Sequence, residues 1–100
     1  MKLVLIVFNF IYDESVRAMI ERLRIPGFTE VHRVFGTGES GKRFGTHAFP
    51  GHDIMIMTVV PEGLVGPLLD EIVRFKQGLA ERAKRHGGIK AFVFPVEQMV

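Results

Sequence analysis

Three short segments of this chain are apolar at almost every position, and they constrain its fold more than any other feature. They run from Leu3 to Phe8, from Ile54 to Met57 and from Ala91 to Phe94. Such runs are too short to cross a bilayer as a helix, and their branched and aromatic side chains are typical of β-strands that are apolar on both faces. A sheet built from them needs a cover on each face, since a soluble protein rarely exposes so large an apolar surface.

Two amphipathic segments lie between these strands and predict helices. The first follows Asp13, a candidate N-cap, and is expected to stop at Pro26-Gly27; the second starts at about Glu62, with Pro67 expected near its first turn. The apolar positions recur at helical spacing and are Val16, Met19, Ile20 and Leu23 in the first, and Leu64, Leu68, Ile72, Phe75 and Leu79 in the second, with Val65, Leu69 and Val73 beside them.

A further strand is predicted from Thr29 to Phe35, with Val31 and Arg33 on one face. The order of elements is then β-α-β-β-α-β, which is that of the ferredoxin-like α+β sandwich, a four-stranded antiparallel sheet with two helices on one face. We expect a single domain over residues 1–100. Because the face without helices is also apolar, we expect another copy of the sheet to cover it in a closed cyclic oligomer.

Composition excludes several classes of function. The net charge is +2 with scattered basic residues, so a nucleic-acid interface is not expected, and the absence of cysteine rules out disulfides and thiolate sites. Acidic Asp13 and Glu14 follow the N-terminal apolar run where a signal peptide needs small residues, so we expect a cytoplasmic protein without membrane insertion. No nucleophile with a base and an orienting group stands out, and an enzyme is not expected.

A glycine-rich stretch from residue 36 to residue 51 is predicted to be a loop. Its sequence Gly36-Thr37-Gly38-Glu39-Ser40-Gly41-Lys42-Arg43 formally matches nucleotide-binding patterns. A phosphate-binding P-loop requires Ser or Thr after the lysine and a helix next, and Arg43 and the residues after it meet neither condition. Two interpretations stay open: a plain exposed hairpin loop, or a loop whose N–H groups and Lys42 or Arg43 meet an anionic ligand or a partner.

Histidines in and near this loop form a second candidate site. His47, His52 and Asp53 lie within seven positions, and His32 could add a ligand, so a transition metal is chemically reasonable. Ordinary loop and strand-end histidines are the simpler interpretation, because the spacing lacks the rigidity of two histidines on one helical face.

Several short motifs resemble those of the PII signalling family, in the same order along nearly the whole chain. They are Gly27-Phe28-Thr29, Gly36-Thr37-Gly38, Gly87-Gly88-Ile89-Lys90 and Pro95-Val96-Glu97. The resemblance implies a homotrimer with a ligand cleft between subunits, formed by Gly36, Thr37, Gly38, Gly87, Gly88 and Lys90. It also implies that the family's T-loop, here residues 38–52 with Lys42, Arg43 and Thr46, meets a protein target.

The chain departs from the family pattern at several places. Glu39-Ser40 stands where the family has Arg-Gln, and Gly88 replaces an acidic residue. The resemblance therefore implies a divergent regulatory protein that binds a small anionic ligand, with a nucleotide as one candidate. The alternative is a metal-homeostasis trimer that uses His47, His52 and His32 for a divalent metal, as the related CutA-type trimers are linked to such metals.

Overall fold

The computed structural model describes residues 1–34, 36–38, 41–43, 52–83 and 88–100, with only the backbone described for 36–38, 41–43 and 82–83. A 3-10 turn, Phe10–Tyr12, follows the first strand. The strands are β1 (Lys2–Asn9), β2 (Thr29–Val34), β3 (Gly36–Gly38), β4 (Gly41–Arg43), β5 (Asp53–Val60) and β6 (Ile89–Pro95), and the helices are α1 (Asp13–Arg22) and α2 (Glu62–Ala83). None of the helices in these ranges is long and apolar enough to span a membrane.

The main sheet is four-stranded and antiparallel, with the order β2-β5-β1-β6. Central β1 pairs with β5 and β6, so that Ile6 lies opposite Ile56 on one side and Ala91 on the other. Together with the two helices, this order confirms the predicted ferredoxin-like α+β fold.

One face of the sheet packs against the helices and forms the core. Alternate strand residues such as Ile6, Phe8 and Ile56 are buried there. The buried helix residues are Val16, Met19 and Ile20 in α1 and Leu68, Ile72 and Leu79 in α2, which confirms both predicted apolar stripes. Val73 departs from the prediction, since it is 50% exposed.

The other face of the sheet is apolar as well, and we call it the open face. It consists of Leu3, Leu5 and Val7 of β1, Met55, Met57 and Val59 of β5, and Phe92 and Phe94 of β6. Strand pairing places them together, because Leu5 lies opposite Met57 and Phe92 and alternates with buried Val4 and Ile6. Phe92 and Phe94 remain 46% and 45% exposed.

The start of α1 differs from the prediction. Asp13 is the first helical residue and not the N-cap; Tyr12 occupies that position without a side-chain hydrogen bond. The local cap belongs to the 3-10 turn, where the Asn9 side chain accepts from the Ile11 N–H at 3.1 Å. Asp13 instead pairs with Arg17 one turn along α1, at 3.2 Å.

The helix ends also correct the sequence prediction. α1 stops at Arg22, before Pro26, and the chain leaves it through Arg24 in a left-handed conformation at φ 54°. Pro67 lies inside α2, beyond its first turn. The proline is tolerated there, although it removes one N–H donor from the helix.

Two corrections concern β2 and the segment after it. The pairing of β2 with β5 is irregular between Val31 and Val34, where Arg33 has a φ of 60°, so the predicted alternation breaks at Arg33. Part of the predicted loop is a hairpin, in which β3 and β4 pair with Thr37 opposite Lys42. Phe35, the predicted end of β2, lies outside the described residues.

Candidate functional site

Three segments meet at the end of β1. The chain after β1 lies beside the residue preceding β5 and the residue preceding β6, because both strands run antiparallel to β1. The Asn9 N–H donates to the Gly88 carbonyl at 2.8 Å, and the Phe10 N–H donates to the His52 carbonyl at 3.0 Å. Backbone hydrogen bonds therefore connect the short segment Asn9–Tyr12 both to His52, at the end of the 38–52 loop, and to Gly88, before β6.

Both the backbone conformation at position 88 and the neighbouring Tyr12 ring favour glycine there. Its φ is +86°, a conformation that side-chain-bearing residues rarely adopt, and a Cβ built there would lie 3.0 Å from Tyr12 Cε2. The Tyr12 ring in turn packs edge-on against Phe75 of α2, with centroids 5.3 Å apart. Gly88, the residue before β6, thus lies close to the helical layer.

Lys90 places a positive charge close in sequence to Gly88. It is exposed on β6 opposite Val7, which places it at the edge of the open face. In the part of the chain that the structure describes, no carboxylate lies within ion-pair distance of Lys90. Its ammonium group is available to an anion.

The hairpin of β3 and β4 emerges at the same end of the sheet. Val34 at the end of β2 lies opposite Asp53, and Asp53 lies opposite Asn9, which bonds to Gly88. The topology therefore brings the Gly36–Gly38 strand and Gly88 to the same end of the main sheet, although β2 and β6 are its two opposite edge strands. Gly87, Thr46 and His47 of the predicted sites lie outside the described residues.

Each histidine within the described residues contacts a side chain that is not another histidine. The His52 ring stacks on Phe10, with centroids 4.8 Å apart and an interplanar angle of 17°. His32 Nε2 lies 3.0 Å from Glu30 Oε2. Within the described ranges, no group of three or more potential ligands could hold a metal ion.

Sequence reasoning missed the segment that joins the two sides of this site. Phe10 and Ile11 are 41% and 54% exposed, directly after a buried strand. The available signal was an apolar run that continues past the end of β1 into Phe10, Ile11 and Tyr12, where a connection normally turns polar. The contacts of these residues depend on strand register and not on local sequence.

Comparisons with known proteins agree with this architecture. The family model of the nitrogen regulatory protein P-II matches residues 1–100. The chain belongs to the nitrogen regulatory protein P-II family. The resemblance drawn from the sequence motifs is confirmed, and a search of curated proteins found no match.

Solved structures of a P-II-like protein are similar to this family member. The structure of CPII from Thiomonas intermedia K12 bound to ADP, AMP and bicarbonate is 27% identical, with a TM-score of 0.72, over 97% of this chain and 88% of that one. CPII bound to ADP and bicarbonate is 28% identical with a TM-score of 0.69, over 97% and 88% of the two chains. The apo form of CPII is 26% identical with a TM-score of 0.64, over 93% and 85%.

Proposed function

We propose that this chain is a P-II-like signalling protein that binds a small anionic ligand and regulates a partner protein through residues 38–52. The observation that carries the proposal is Lys90, which has no carboxylate within ion-pair distance among the described residues and follows the closely packed Gly88, at the end of the sheet where the β3–β4 hairpin emerges. The similar protein CPII binds ADP, AMP and bicarbonate, which makes an adenine nucleotide the first candidate ligand.

The chemistry of the site fits an anion with several oxygens. Lys90 supplies a charge. Those N–H groups of Gly36, Thr37 and Gly38 that do not bond to β4 can donate hydrogen bonds on one side, and those of Gly87 and Gly88 are the proposed donors on the other. Glycine allows the backbone to approach a phosphate or carboxylate closely. Binding requires none of the groups that an enzyme needs for catalysis, and we propose a regulator and not an enzyme.

The segment Asn9–Tyr12 is the proposed route from ligand to loop. An anion at the Gly88 turn changes the strain on the hydrogen bond between Asn9 and Gly88, and Phe10 carries that change to His52, the last residue of the loop. A ligand with different affinities for two positions of this segment shifts the equilibrium between them. Lys42, Arg43 and Thr46 are the proposed contacts with the target.

A homotrimer is the proposed assembly. The open face exposes the rings of Phe92 and Phe94, and the same face of other copies is the economical cover for it. A neighbouring subunit then completes each ligand cleft. We also propose that the protein acts in the cytoplasm, where nucleotide ligands are available.

Thermal unfolding in the presence of separate candidate ligands tests this proposal. A ligand selective for the folded state at about 100 times its Kd adds roughly 2.7 kcal/mol of stability. We expect ADP, AMP or ATP, alone or with bicarbonate, to raise the melting temperature of the wild type, and Lys90→Ala to lose most of that rise. Lys76→Ala, which removes a lysine from α2 and not from β6, should retain it.

Either of two outcomes contradicts the proposal: no nucleotide stabilises the wild type, or Lys90→Ala responds as fully as Lys76→Ala. The metal-homeostasis trimer remains a separate prediction. Zinc or copper stabilisation that is lost in a His47→Ala, His52→Ala double variant, with His32→Ala tested beside it, would support that alternative.

A further inference from the structure

β2 carries one residue more than the strand it pairs with. Three steps along β2, from Val31 to Val34, match two steps along β5, which defines a β-bulge. The extra residue lies at His32 and Arg33, and we call this pair the bulge. Because β3 starts at Gly36, two residues after Val34, the bulge lies at the base of the β3–β4 hairpin.

The backbone at the bulge is strained. Arg33 has a φ of 60°, in the left-handed region that is costly for residues with a side chain and that glycine adopts freely. Arginine has no local preference for this conformation, unlike glycine or asparagine. Strained backbone persists only where its surroundings determine it, so neighbouring contacts hold Arg33 in place.

A cluster of side chains fixes β2 directly before the bulge. Glu30 Oε2 accepts a hydrogen bond from Arg17 Nη2 of α1, and His32 Nε2 lies 3.0 Å from the same oxygen. Arg17 Nε also lies 3.2 Å from Asp13 Oδ1. The Glu30 side chain is only 12% exposed, which strengthens its electrostatic contacts. Because these contacts fix the strand as far as His32, the extra residue is accommodated after it.

The bulge also determines on which face of the sheet Val34 lies. With the bulge, Val34 lies opposite Asp53 and therefore on the same side as Met55, which belongs to the open face. In the register that precedes the bulge, Val34 would lie opposite His52 and its side chain would turn to the other face. The bulged register thus extends the apolar open face, and the strain at Arg33 opposes it.

We propose that the bulge is a strained hinge that sets the position of the β3–β4 hairpin. Two arrangements compete. In one, the extra residue lies at Arg33, held by the contacts of Glu30 with α1 and by Val34 on the open face; in the other, it lies elsewhere along β2 and the left-handed strain is absent. A ligand that prefers one arrangement shifts their populations. The link to regulation rests on the function proposed above, whereas the hinge itself is tested without a ligand.

Cross-strand NMR contacts in the full chain test the hinge. The wild type should show a nuclear Overhauser effect between Val34 and Asp53. Glu30→Gln keeps the shape of the side chain but removes the charge that Arg17 and His32 contact. It should weaken the Val34–Asp53 effect and shift the amide resonances of residues 36–38 and 41–43.

A second substitution should rescue this variant. Arg33→Gly removes the left-handed strain, so adding it to Glu30→Gln should restore both the Val34–Asp53 effect and the hairpin amide resonances. A loss of the Glu30 contacts that acted only on local stability would not be reversed at the hairpin by glycine at position 33.

Arg24 provides the matched control. It is the other arginine with a left-handed backbone in the part of the chain that the structure describes, with a φ of 54° after α1. Arg33→Val and Arg24→Val place the same β-branched side chain at a positive φ, and both should lower the melting temperature. Only Arg33→Val should move the hairpin amide resonances. If Arg33→Val does not fold, Glu30→Gln and its double variant still decide the question.

The proposal is overturned if Glu30→Gln leaves the Val34–Asp53 effect and the hairpin resonances unchanged, or if Arg33→Gly does not restore them. It is also overturned if Arg24→Val moves the hairpin resonances as far as Arg33→Val does. Since these experiments contain no nucleotide, their failure is distinct from a failure of the Lys90 experiment.

Discussion

Gly88 occupies a position where two kinds of constraint coincide. Its backbone adopts φ +86°, and its Cα faces the ring of Tyr12, so both the conformation and the space exclude a side chain. Its carbonyl also accepts the hydrogen bond from Asn9. A single residue therefore determines how closely the turn before β6 packs on the end of β1.

Replacing Gly88 with alanine should destabilise the protein by about 1–3 kcal/mol, through left-handed backbone strain and the contact with Tyr12. Urea unfolding measures the change. Gly66→Ala is the matched control, because a Cβ there meets nothing within 4 Å and alanine is the better helix former by roughly 0.5–1 kcal/mol. Equal effects of the two replacements would show that Gly88 is not constrained as described.

Among the elements, the two helices are joined by a polar contact as well as by the core. The hydrogen bond from Arg22, opposed in part by burial, lowers the pKa of the Glu71 carboxyl below its ordinary value. The same hydrogen bond raises the pKa of Arg22. A carboxyl with a lowered pKa in the folded state stabilises that state above the pKa of the unfolded chain, and the contribution disappears as the pH falls through the folded value.

Glu71→Gln should therefore lower stability at pH 7, and the difference from wild type should shrink as the pH falls below roughly 4. Urea unfolding at several pH values provides the measurement. Glu81→Gln serves as the control, since Glu81 is an exposed residue on the same helix. A difference that stays constant down to low pH would assign the effect of Glu71→Gln to packing and not to its charge.

The elements differ in how well the sequence predicts them. Both helical stripes follow from apolar periodicity, because burial against a sheet imposes it, and the β-α-β-β-α-β order of elements predicts the ferredoxin-like sheet. The start of α1 was not predicted correctly, because the Asn9 side chain caps a 3-10 turn before the helix. Asp13 can therefore pair with Arg17 instead of capping α1. Competing local hydrogen bonds of this kind have similar energies, so sequence alone does not rank them.

The candidate site was only partly predictable for a related reason. Gly88 and Lys90 were identified by their resemblance to a family motif. Phe10 and Tyr12 were not, because their contacts with His52 and Phe75 join residues far apart in the sequence. The register of β1 with β5 places Phe10 beside His52, and the packing of α2 on the core places Phe75 beside Tyr12. No pattern within the segment itself encodes them.

At the scale of the whole molecule, the two faces of the sheet differ in what covers them. The helices cover one face, while the open face presents a continuous apolar surface that includes the partly exposed rings of Phe92 and Phe94. Burying a phenylalanine side chain contributes about 1.5–3 kcal/mol, so covering several such residues in each subunit is a strong drive to associate. The same burial would hold the proposed cleft together, since that cleft lies between subunits.

Phe92→Glu should therefore convert the proposed trimer to a monomer at micromolar concentrations, because a carboxylate cannot be buried there without a partner. Light scattering after size-exclusion chromatography gives the mass. Val73→Glu is the control, as Val73 is 50% exposed and Phe92 46%, but Val73 lies on α2 and not on the open face. The control should keep the mass of the wild type.

The monomeric variant also tests whether the assembly and the ligand site depend on each other. If a neighbouring subunit completes the cleft, Phe92→Glu should lose nucleotide stabilisation although Gly88 and Lys90 are unchanged, whereas Val73→Glu should keep it. A monomer that still responds fully to nucleotide would place the whole site within one chain. A wild type that is itself monomeric would mean that something other than this chain covers the open face.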